Sequence, residues 1–287
     1  MNERFELILL RSGAQSIHSL DYGETMHIGL GPAEEAETLY VKGLRIVERL
    51  RETEPGAAFV VWDVGLGAAA NALAVIRAGA ACERTLRLVS FDHCTDLLRF
   101  AIRHAGDLGY LDGFAERLGA LIEEGAVSFH AGALRVEWEL IRGDFPTWLR
   151  SPEAQQTVKP HAILFDPFSP ARNPGMWTAS VFDDLFAVLD PARPCSLATY
   201  SRSTMTRAGL LLAGFHAGVG YATGLKEETT VAANESGLIT RPLDERWLER
   251  ARKSTGAEPL REAVYRQAPL TPETWSRLQR HPQFQKA

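Results

Sequence analysis

Four aspartates stand at the ends of short apolar segments that have the composition of buried strands. The segments, each with the acid that follows it, are Phe59 to Trp62 with Asp63, Leu86 to Phe91 with Asp92, Ala133 to Ile141 with Asp144, and Ala162 to Phe165 with Asp166. Helix-like stretches separate them, and strands that alternate with helices indicate a parallel sheet wound on both faces. The carboxyl ends of such strands share one edge, where α/β proteins bind their ligands. The pattern therefore predicts carboxylates along one binding edge.

A glycine turn follows the first of these segments, in the stretch FVVWDVGLGAAANAL. Gly65 and Gly67 allow the backbone to approach a ligand without an intervening Cβ, and the helix that begins near Asn71 offers N–H groups. A strand, an acid, Gly-x-Gly and a helix together predict a nucleotide-binding turn. A plain strand-to-helix connection is the alternative, because glycine turns of this kind are common.

The acids distinguish between two classes of cofactor. NAD carries a pyrophosphate, which avoids carboxylates, whereas S-adenosylmethionine carries an ammonium and a sulfonium, which nearby acids and aromatic faces favour. The dinucleotide pattern G-x-G-x-x-G requires its third glycine at the position that Ala70 occupies here. Asp92 also lies further from the glycines than the roughly 20 residues typical of NAD sites. We therefore predict S-adenosylmethionine, with Asp92 on its ribose hydroxyls. The predicted cofactor-binding residues in these segments are Asp63, Gly65, Gly67, Asn71, Asp92, Asp144 and Phe145.

The last acid begins a stiff aromatic loop, DPFSPARNPGMW. Its three prolines prevent a helix or a central strand from continuing after Asp166. We predict that Asp166 is the catalytic residue, because a carboxylate there can orient an ammonium and accept its proton before the amine attacks a methyl group. A loop-capping aspartate is the alternative, and methyl transfer that depends on positioning alone needs no such residue.

Charge and cysteine content limit the classes of protein. The 287 residues carry a net charge of −5, which is unusual for an RNA-binding protein, although residues 241–287 hold ten Lys and Arg against six Asp and Glu. That segment is either a phosphate-contacting tail or a solvated helical appendage. No apolar run matches a membrane span or a signal peptide, so a cytoplasmic protein without membrane contact is expected. Cys82, Cys94 and Cys195 lack metal-ligand spacing, so reduced thiols and no metal are expected.

Three regions are expected along the chain. Residues 1–30 have the pattern of a small β extension. Residues 31–240 are expected to form the main α/β domain, a doubly wound and mostly parallel sheet. This domain should contain a helix from Pro32 to about Arg51 and a final antiparallel hairpin within residues 218–233. Residues 241–287 are predicted to be a basic helical tail.

Seven segments together have the order found in a known family. They are GETMHIGLGPAEEAETLYVKG, DVGLGAAANAL, VSFD, GDF, FDPFSPARNPGMWT, ATYSRSTMTRAGLLLAGF and GLKEET. From about Tyr22 to Asn234 the chain resembles the MnmC-like tRNA (5-methylaminomethyl-2-thiouridine) methyltransferases, in the stand-alone form without the oxidase domain. The resemblance implies a Rossmann-like class I S-adenosylmethionine-dependent methyltransferase fold. It also implies N-methylation of the 5-aminomethyl group on a tRNA wobble uridine, with a separate enzyme supplying that aminomethyl substrate.

The resemblance also suggests roles for individual residues. Chemistry on a base in folded RNA needs that base unstacked, so Phe168 and Trp177 are predicted to stack on a flipped uridine, with core packing as the competing role of Trp177. His27 is expected over the cofactor, with a purely structural histidine as the alternative. The other predicted substrate-binding residues are Asn173, Met176, Arg207 and Lys226, of which the last two are candidate phosphate contacts.

Several positions depart from the family pattern. Ala69 replaces the usual third glycine, and its methyl group either crowds the cofactor or is harmless if its φ is negative. Glu227 replaces a cation in the family's Lys-Arg-Glu run, and Arg202 and Thr204 stand where small residues are usual. Two other functions therefore stay open. One is a small-molecule amine or oxygen methyltransferase, and the other is a non-catalytic scaffold that binds RNA or a partner.

Overall fold

The computed structural model describes residues 4–224 and 227–285, which contain an eight-stranded sheet and a separate three-stranded sheet. The strands of the small sheet are β1 (Phe5–Leu9), β2 (Gln15–Ser19) and β3 (Glu24–Thr25). The strands of the large sheet, in chain order, are β4 (Ala58–Val64), β5 (Thr85–Asp92), β6 (Ala126–Ala131), β7 (Leu134–Arg142), β8 (Ala162–Phe165), β9 (Ser196–Thr199), β10 (His216–Gly220) and β11 (Thr229–Ala233). The small sheet agrees with the predicted β extension at the N-terminus.

Helices connect these strands and cover both faces of the large sheet. They are α1 (Pro32–Ala36), α2 (Ile46–Glu52), α3 (Ala70–Gly79), α4 (Asp96–Arg103), α5 (Ala105–Leu108), α6 (Ala115–Glu124), α7 (Phe145–Leu149), α8 (Pro152–Gln156), α9 (Ala179–Ala187), α10 (Thr204–Ala213), α11 (Glu245–Lys253) and α12 (Pro272–Gln279). Side-chain caps begin several of them, at Asp144, Ser151, Thr178, Asp244 and Thr271. Among the described helices, none has both the length and the apolarity needed to cross a bilayer.

The order of strands in the large sheet is β10-β11-β9-β8-β4-β5-β7-β6. The five central strands from β9 to β7 run parallel, while β6, β10 and β11 pair antiparallel. This arrangement confirms the predicted α/β fold and its final hairpin. The edge strand β6 was not predicted, because none of its residues is fully buried and the segment lacks the apolar run that marked the central strands.

Two apolar cores lie on opposite faces of the large sheet. Alternate residues of β4 face opposite cores: Phe59 and Val61 pack on the side of α1 to α6, whereas Val60 and Trp62 pack on the side of α7 to α10. Because both of their faces are covered, β4 and β8 are almost continuously apolar, whereas β7 alternates buried apolar residues with partly exposed polar ones. This double burial explains why short segments such as β8 were recognisable in the sequence.

The expected helix from Pro32 to about Arg51 is interrupted. A π-helical segment, Glu37–Lys42, continues α1, and the chain then turns before α2 begins. Arg45, just before α2, has a φ of 53°, which is a left-handed conformation and incompatible with a continuous right-handed helix. The apolar spacing predicted the helical segments correctly but gave no signal for this turn.

The predicted C-terminal tail is packed against the main domain. Trp247 of α11 and Leu278 of α12 are buried in a cluster with Leu211 of α10. The side-chain amide of Gln283 bonds both the N–H and the carbonyl of Ala217 in β10. In the described part of residues 241–287, these contacts correct the expectation of a solvated appendage.

Candidate active site

A cavity of about 390 Å³ lies at the carboxyl edge of the parallel strands. Its walls include the residues that follow β4 and β8, the neighbouring strands from which the sheet grows in opposite directions. Open α/β sheets bind ligands at such a switch point. The predicted site residues that line this cavity are His27, Gly65, Gly67, Asn71, Asp92, Asp144, Phe145, Asp166, Phe168, Asn173 and Met176.

The glycine turn brings two of the acids close to the backbone of residues 65–67. Gly65 has a φ of +91°, and a Cβ there would lie 2.9 Å from the carbonyl oxygen of Asp166. Gly67 has a φ of +55°, and its N–H donates to Oδ2 of Asp92 over 2.9 Å. Both glycines adopt a conformation that disfavours a side chain, and Gly65 also lacks space for one. The turn therefore links the ends of β4, β5 and β8.

Asp92 is fixed at the end of β5. Its Oδ1 accepts a hydrogen bond from the N–H of Cys94 over 3.2 Å, in addition to the bond from Gly67. A carboxylate has more acceptor sites than these two bonds use. Asp92 therefore retains acceptor capacity for ligand hydroxyls, which fits the ribose of S-adenosylmethionine.

Asn71 and Asp166 form a pair on the cavity wall. The amide nitrogen Nδ2 of Asn71 donates to Oδ2 of Asp166 over 2.6 Å. The other end of the amide, Oδ1, is buried and accepts no hydrogen bond from the described residues. An unpaired buried acceptor costs about 1–3 kcal/mol. This oxygen has almost no accessible surface, so Asp166 is the member of the pair that the wall offers to the cationic groups of S-adenosylmethionine or of an amine substrate.

Two tyrosines near Asp166 were not predicted. Burial and the negative charge of Asp166 both raise the pKa of Tyr40 well above its usual value, and the same two causes raise that of Tyr200. Both phenols therefore stay neutral. The hydroxyl of Tyr200 donates to the carbonyl of Pro167 over 2.9 Å, which holds the start of the proline loop. Tyr200 follows the end of β9, so the rule that selected the four acids would have found it if extended to aromatic residues.

Asp63 differs from the prediction, because it does not line the cavity. Strand β4 continues to Val64, so Asp63 lies inside the strand, opposite Ser90 of β5. It is fully buried and accepts a hydrogen bond from the Ser90 hydroxyl over 2.9 Å. Burial, with smaller contributions from the charges of Asp166 and Asp92, raises the pKa of Asp63 to about 7. The predicted direct contact with the cofactor is therefore corrected to a buried position behind the site.

The raised pKa of Asp63 predicts a change in how stability depends on pH. The native pKa of about 7 lies above the usual value near 3.8, so the native protein binds this proton more tightly and loses stability as pH rises between those values. Asp63→Asn removes the ionisation. When the pH rises from 5 to 8, the unfolding free energy should fall by about 3 kcal/mol less in the variant than in the wild type. Denaturant titrations at both pH values measure the difference. The exposed Asp112→Asn serves as control, and identical pH profiles for Asp63→Asn and wild type would contradict the prediction.

Trp177 also needs correction, because its ring is 1% exposed and does not line the cavity. It packs edge-on against Phe165, and its Nε1 donates to the carbonyl of Phe168 over 2.8 Å. The competing role in core packing is therefore the observed one. Phe168 instead stacks on Tyr22, with ring centroids 4.0 Å apart and an interplanar angle of 15°. Tyr22 lines the cavity and was not predicted as a site residue.

The small N-terminal sheet and its loops are attached to the site by polar contacts. The carboxylate of Glu24 accepts hydrogen bonds from the N–H and the hydroxyl of Ser169, in the proline loop. Arg4 bridges Asp21 and Asp96. Tyr22 therefore reaches the cavity from an element that is fixed to the proline loop and to α4.

Arg207 is not available to contact a phosphate. It is 3% exposed, and its guanidinium donates to the Thr230 hydroxyl, to the carbonyl of Thr229 and to Glu228, each over 3.0 Å. The side chain is buried because α10 packs over the final hairpin. The predicted role of Arg207 in binding substrate is therefore wrong, and its side chain instead anchors β11. The other predicted phosphate contact, Lys226, lies outside the described residues.

His27 contributes to the cavity wall in a constrained conformation. Its φ is 47°, and its Nδ1 lies 3.6 Å from the carboxylate of Glu35. That carboxylate also accepts hydrogen bonds from the N–H groups of Gly29 and Leu30. Burial opposes ionisation of Glu35, but these bonds and His27 outweigh it and lower its pKa. His27 thus has both a structural partner and a position on the predicted cofactor cavity.

Ala69 fits neither of the two alternatives considered for it. Its φ is 63°, so the backbone conformation is left-handed rather than right-handed. It is fully buried and does not line the cavity, so its methyl group does not crowd a ligand there. Alanine in this conformation costs about 1–2 kcal/mol of strain. The departure from glycine therefore affects the turn rather than the cavity.

Comparisons with known proteins agree with this arrangement. A family model described as S-adenosyl-L-methionine-dependent methyltransferase matches residues 120–235. The chain is similar to the tRNA 5-methylaminomethyl-2-thiouridine biosynthesis bifunctional protein MnmC of Hahella chejuensis, at 27% identity over 77% of this chain and 35% of that protein. The corresponding protein of Azoarcus sp. is 30% identical over 69% of this chain and 31% of its own length. The chain thus spans about a third of these curated relatives.

Solved structures share the fold. The crystal structure of MNMC2 from Aquifex aeolicus superposes with a TM-score of 0.70 at 22% identity, covering 91% of this chain and 80% of that one. A spermidine synthase in complex with the transition state analogue AdoDATO gives a TM-score of 0.54 at 11% identity, covering 96% and 84%. Because sequence, fold and cavity agree, we conclude that the chain is an S-adenosylmethionine-dependent methyltransferase that is similar, over 77% of its length, to an MnmC protein.

Proposed function

We propose that the protein methylates the nitrogen of the 5-aminomethyl group on the wobble uridine of a tRNA. The observation that carries the proposal is the position of Asp166 on the same cavity wall as the stacked rings of Phe168 and Tyr22. The carboxylate can bind an amine and accept its proton, and the flat aromatic surface can stack on a nucleobase. The names of the relatives, which concern tRNA 5-methylaminomethyl-2-thiouridine biosynthesis, support the same substrate.

The part of the cavity formed by the glycine turn, Asp92, Asp144 and Phe145 would bind the methyl donor. When bound, S-adenosylmethionine supplies an electrophilic methyl group on a sulfonium. Gly65 and Gly67 line the cavity and would let it approach the backbone of the turn, and Asp92 would accept hydrogen bonds from its ribose hydroxyls. Asp144 and Phe145, at the start of α7, would contact the adenine.

Asp166 would prepare the substrate nitrogen. An alkylamine is mostly protonated near neutral pH and has no free lone pair to attack with. The Asp166 carboxylate would accept a hydrogen bond from this ammonium, orient it and take its proton. Asn71 holds the carboxylate in place through the 2.6 Å bond from Nδ2. The two side chains would thus fix both the direction and the protonation state of the nitrogen.

The aromatic pair gives a prediction about substrate binding. Base–aromatic stacking contributes about 1–3 kcal/mol, so Tyr22→Ala should raise the KM for tRNA about tenfold or more. Tyr22→Phe keeps the ring and should stay within about twofold of the wild type. Methyl transfer from radiolabelled S-adenosylmethionine at varied tRNA concentrations measures both values. An unchanged KM in Tyr22→Ala would remove this residue from the substrate site.

A small-molecule amine is the second candidate substrate. The burial of Arg207 favours it, because a predicted phosphate contact is lost, and so does the net charge of −5. RNA binding releases counterions, so its affinity falls steeply with salt, whereas a small amine lacks that dependence. The tRNA proposal entails a cytoplasmic location, where tRNA is present, and a separate enzyme that supplies the aminomethyl group.

The test compares methyl acceptors directly. Purified protein and radiolabelled S-adenosylmethionine are incubated with tRNA that carries 5-aminomethyl-2-thiouridine, with the same tRNA lacking the aminomethyl group, and with free polyamines. The proposal expects label only in the first tRNA, at the modified nucleoside after digestion. Label in polyamines alone would establish the second candidate. Binding of S-adenosylmethionine without transfer to any acceptor would contradict both and favour the scaffold.

A further inference from the structure

Three potential metal ligands stand together at the end of β5. Asp92, His93 and Cys94 each offer one ligand atom, and these atoms all lie within 4.8 Å of one another. The sequence did not predict a metal there, because the three residues are adjacent and match no familiar ligand spacing. Their grouping depends on the turn between β5 and α4, which the N–H of Cys94 stabilises by donating to Oδ1 of Asp92.

We propose that Asp92, His93 and Cys94 bind a thiophilic divalent cation, of which Zn²⁺ is the best match. A thiolate, an imidazole and a carboxylate are all zinc ligands, and a thiolate selects against Mg²⁺ and Ca²⁺. Three protein ligands leave a fourth position for water, as in open zinc sites. Binding displaces the thiol proton of Cys94 and any proton on the coordinating nitrogen of His93, and both leave to solvent.

The three side chains are accessible to an ion. All of them line the cavity, and Nδ1 of His93 lies 3.3 Å from Oδ1 of Asp92. Cys94 is partly exposed, whereas Cys82 and Cys195 are buried. The site therefore needs only small side-chain movements to close around a cation that enters from the cavity.

The position of this site couples it to the cofactor. Asp92 would hold the ribose of S-adenosylmethionine, and this part of the inference rests on that proposed role. A carboxylate that coordinates a metal ion has less capacity to accept from ribose hydroxyls, and the ion occupies space in the same cavity. Metal and cofactor should therefore weaken each other's binding by the same factor. The metal site would make methyl transfer sensitive to free zinc.

Cobalt provides a direct test of the site itself. Titration of the full chain with Co²⁺ should produce a thiolate-to-cobalt charge-transfer absorption, which Zn²⁺ then abolishes by displacement. Cys94→Ser should eliminate the absorption, and His93→Ala should weaken Co²⁺ binding about tenfold or more. Cys82→Ser, which alters a buried thiol, is the matched control and should retain the absorption. No charge-transfer band in the wild type, or a band unaffected by Cys94→Ser, would overturn the proposal.

Calorimetry tests the antagonism separately. The Kd of S-adenosylmethionine is measured with and without saturating Zn²⁺, in the wild type and in Cys94→Ser. Zn²⁺ should weaken cofactor binding about tenfold or more in the wild type and less than about twofold in the variant. Equal weakening in both proteins, or none in the wild type, would overturn the coupling. Failure of S-adenosylmethionine to bind without metal would instead contradict the cofactor assignment, and the cobalt absorption would still decide the metal site.

Discussion

Asp166→Asn is expected to lower the kcat of methyl transfer about 100-fold or more, because a positioned general base contributes on the order of 10²–10⁴ in rate. The asparagine keeps the size of the side chain and can still accept a hydrogen bond from Asn71. It cannot remove a proton from the substrate ammonium. The Kd of S-adenosylmethionine should therefore stay within about threefold of the wild-type value. Single-turnover kinetics at saturating cofactor and calorimetric titration measure the two quantities separately.

Asn71→Ala tests whether the pair acts as a unit. It removes the 2.6 Å bond to Asp166 and the unpaired Oδ1, so turnover should fall by a smaller factor than in Asp166→Asn. The double variant should be hardly slower than Asp166→Asn alone, since residues that act together are not additive. Asp184→Asn, an isosteric change at a surface ion pair with Arg150, is the control and should leave turnover unaltered. Turnover within about threefold of wild type in Asp166→Asn would mean that positioning alone drives the reaction.

The binding edge was predictable because it follows from topology. Parallel strands place their carboxyl ends at one edge, so acids at the ends of buried strands had to share that edge. Asp92 of β5 and Asp166 after β8 lie there on either side of β4. The glycine turn added a second signal at the same edge. Both signals depend only on local sequence and on the general rule for α/β sheets, and the cavity confirms that these residues come together.

Details of register and of contacts across the chain were not predictable in the same way. Asp63 was predicted to follow the end of β4, but the strand continues to Val64 and Asp63 lies inside it. A difference of one residue in a strand decides which face a side chain occupies. Trp177 and Phe168 belong to one loop, but only tertiary packing decides that the first ring is buried and the second stacks on Tyr22. Arginine side chains usually lie at the protein surface, and nothing in the local sequence indicates that Arg207 is buried. Its burial depends on the packing of α10 over the final hairpin.

Gly65→Ala is expected to disrupt both the fold near the site and cofactor binding. A Cβ at this position would lie 2.9 Å from the backbone oxygen of Asp166, which cannot move without shifting the end of β8. The φ of +91° adds strain for any residue other than glycine. Together the left-handed conformation and the overpacking should lower the unfolding free energy by about 2–5 kcal/mol. The Kd of S-adenosylmethionine should rise about tenfold or more, since the turn would no longer support the cofactor.

Gly13→Ala separates the two causes. Gly13 has a φ of +85° but no atom within 4 Å of the added Cβ, and it lies in the β1–β2 turn. In this control, the unfolding free energy should fall only by the cost of the left-handed conformation, about 1–2 kcal/mol. Its affinity for the cofactor should equal that of the wild type. Denaturant unfolding and calorimetric titration on all three proteins give the comparison. If Gly65→Ala were no less stable than Gly13→Ala, the close approach of β4 and β8 would contribute nothing to stability. The switch point would then owe its shape to the strands alone, and the glycine would serve the ligand rather than the fold.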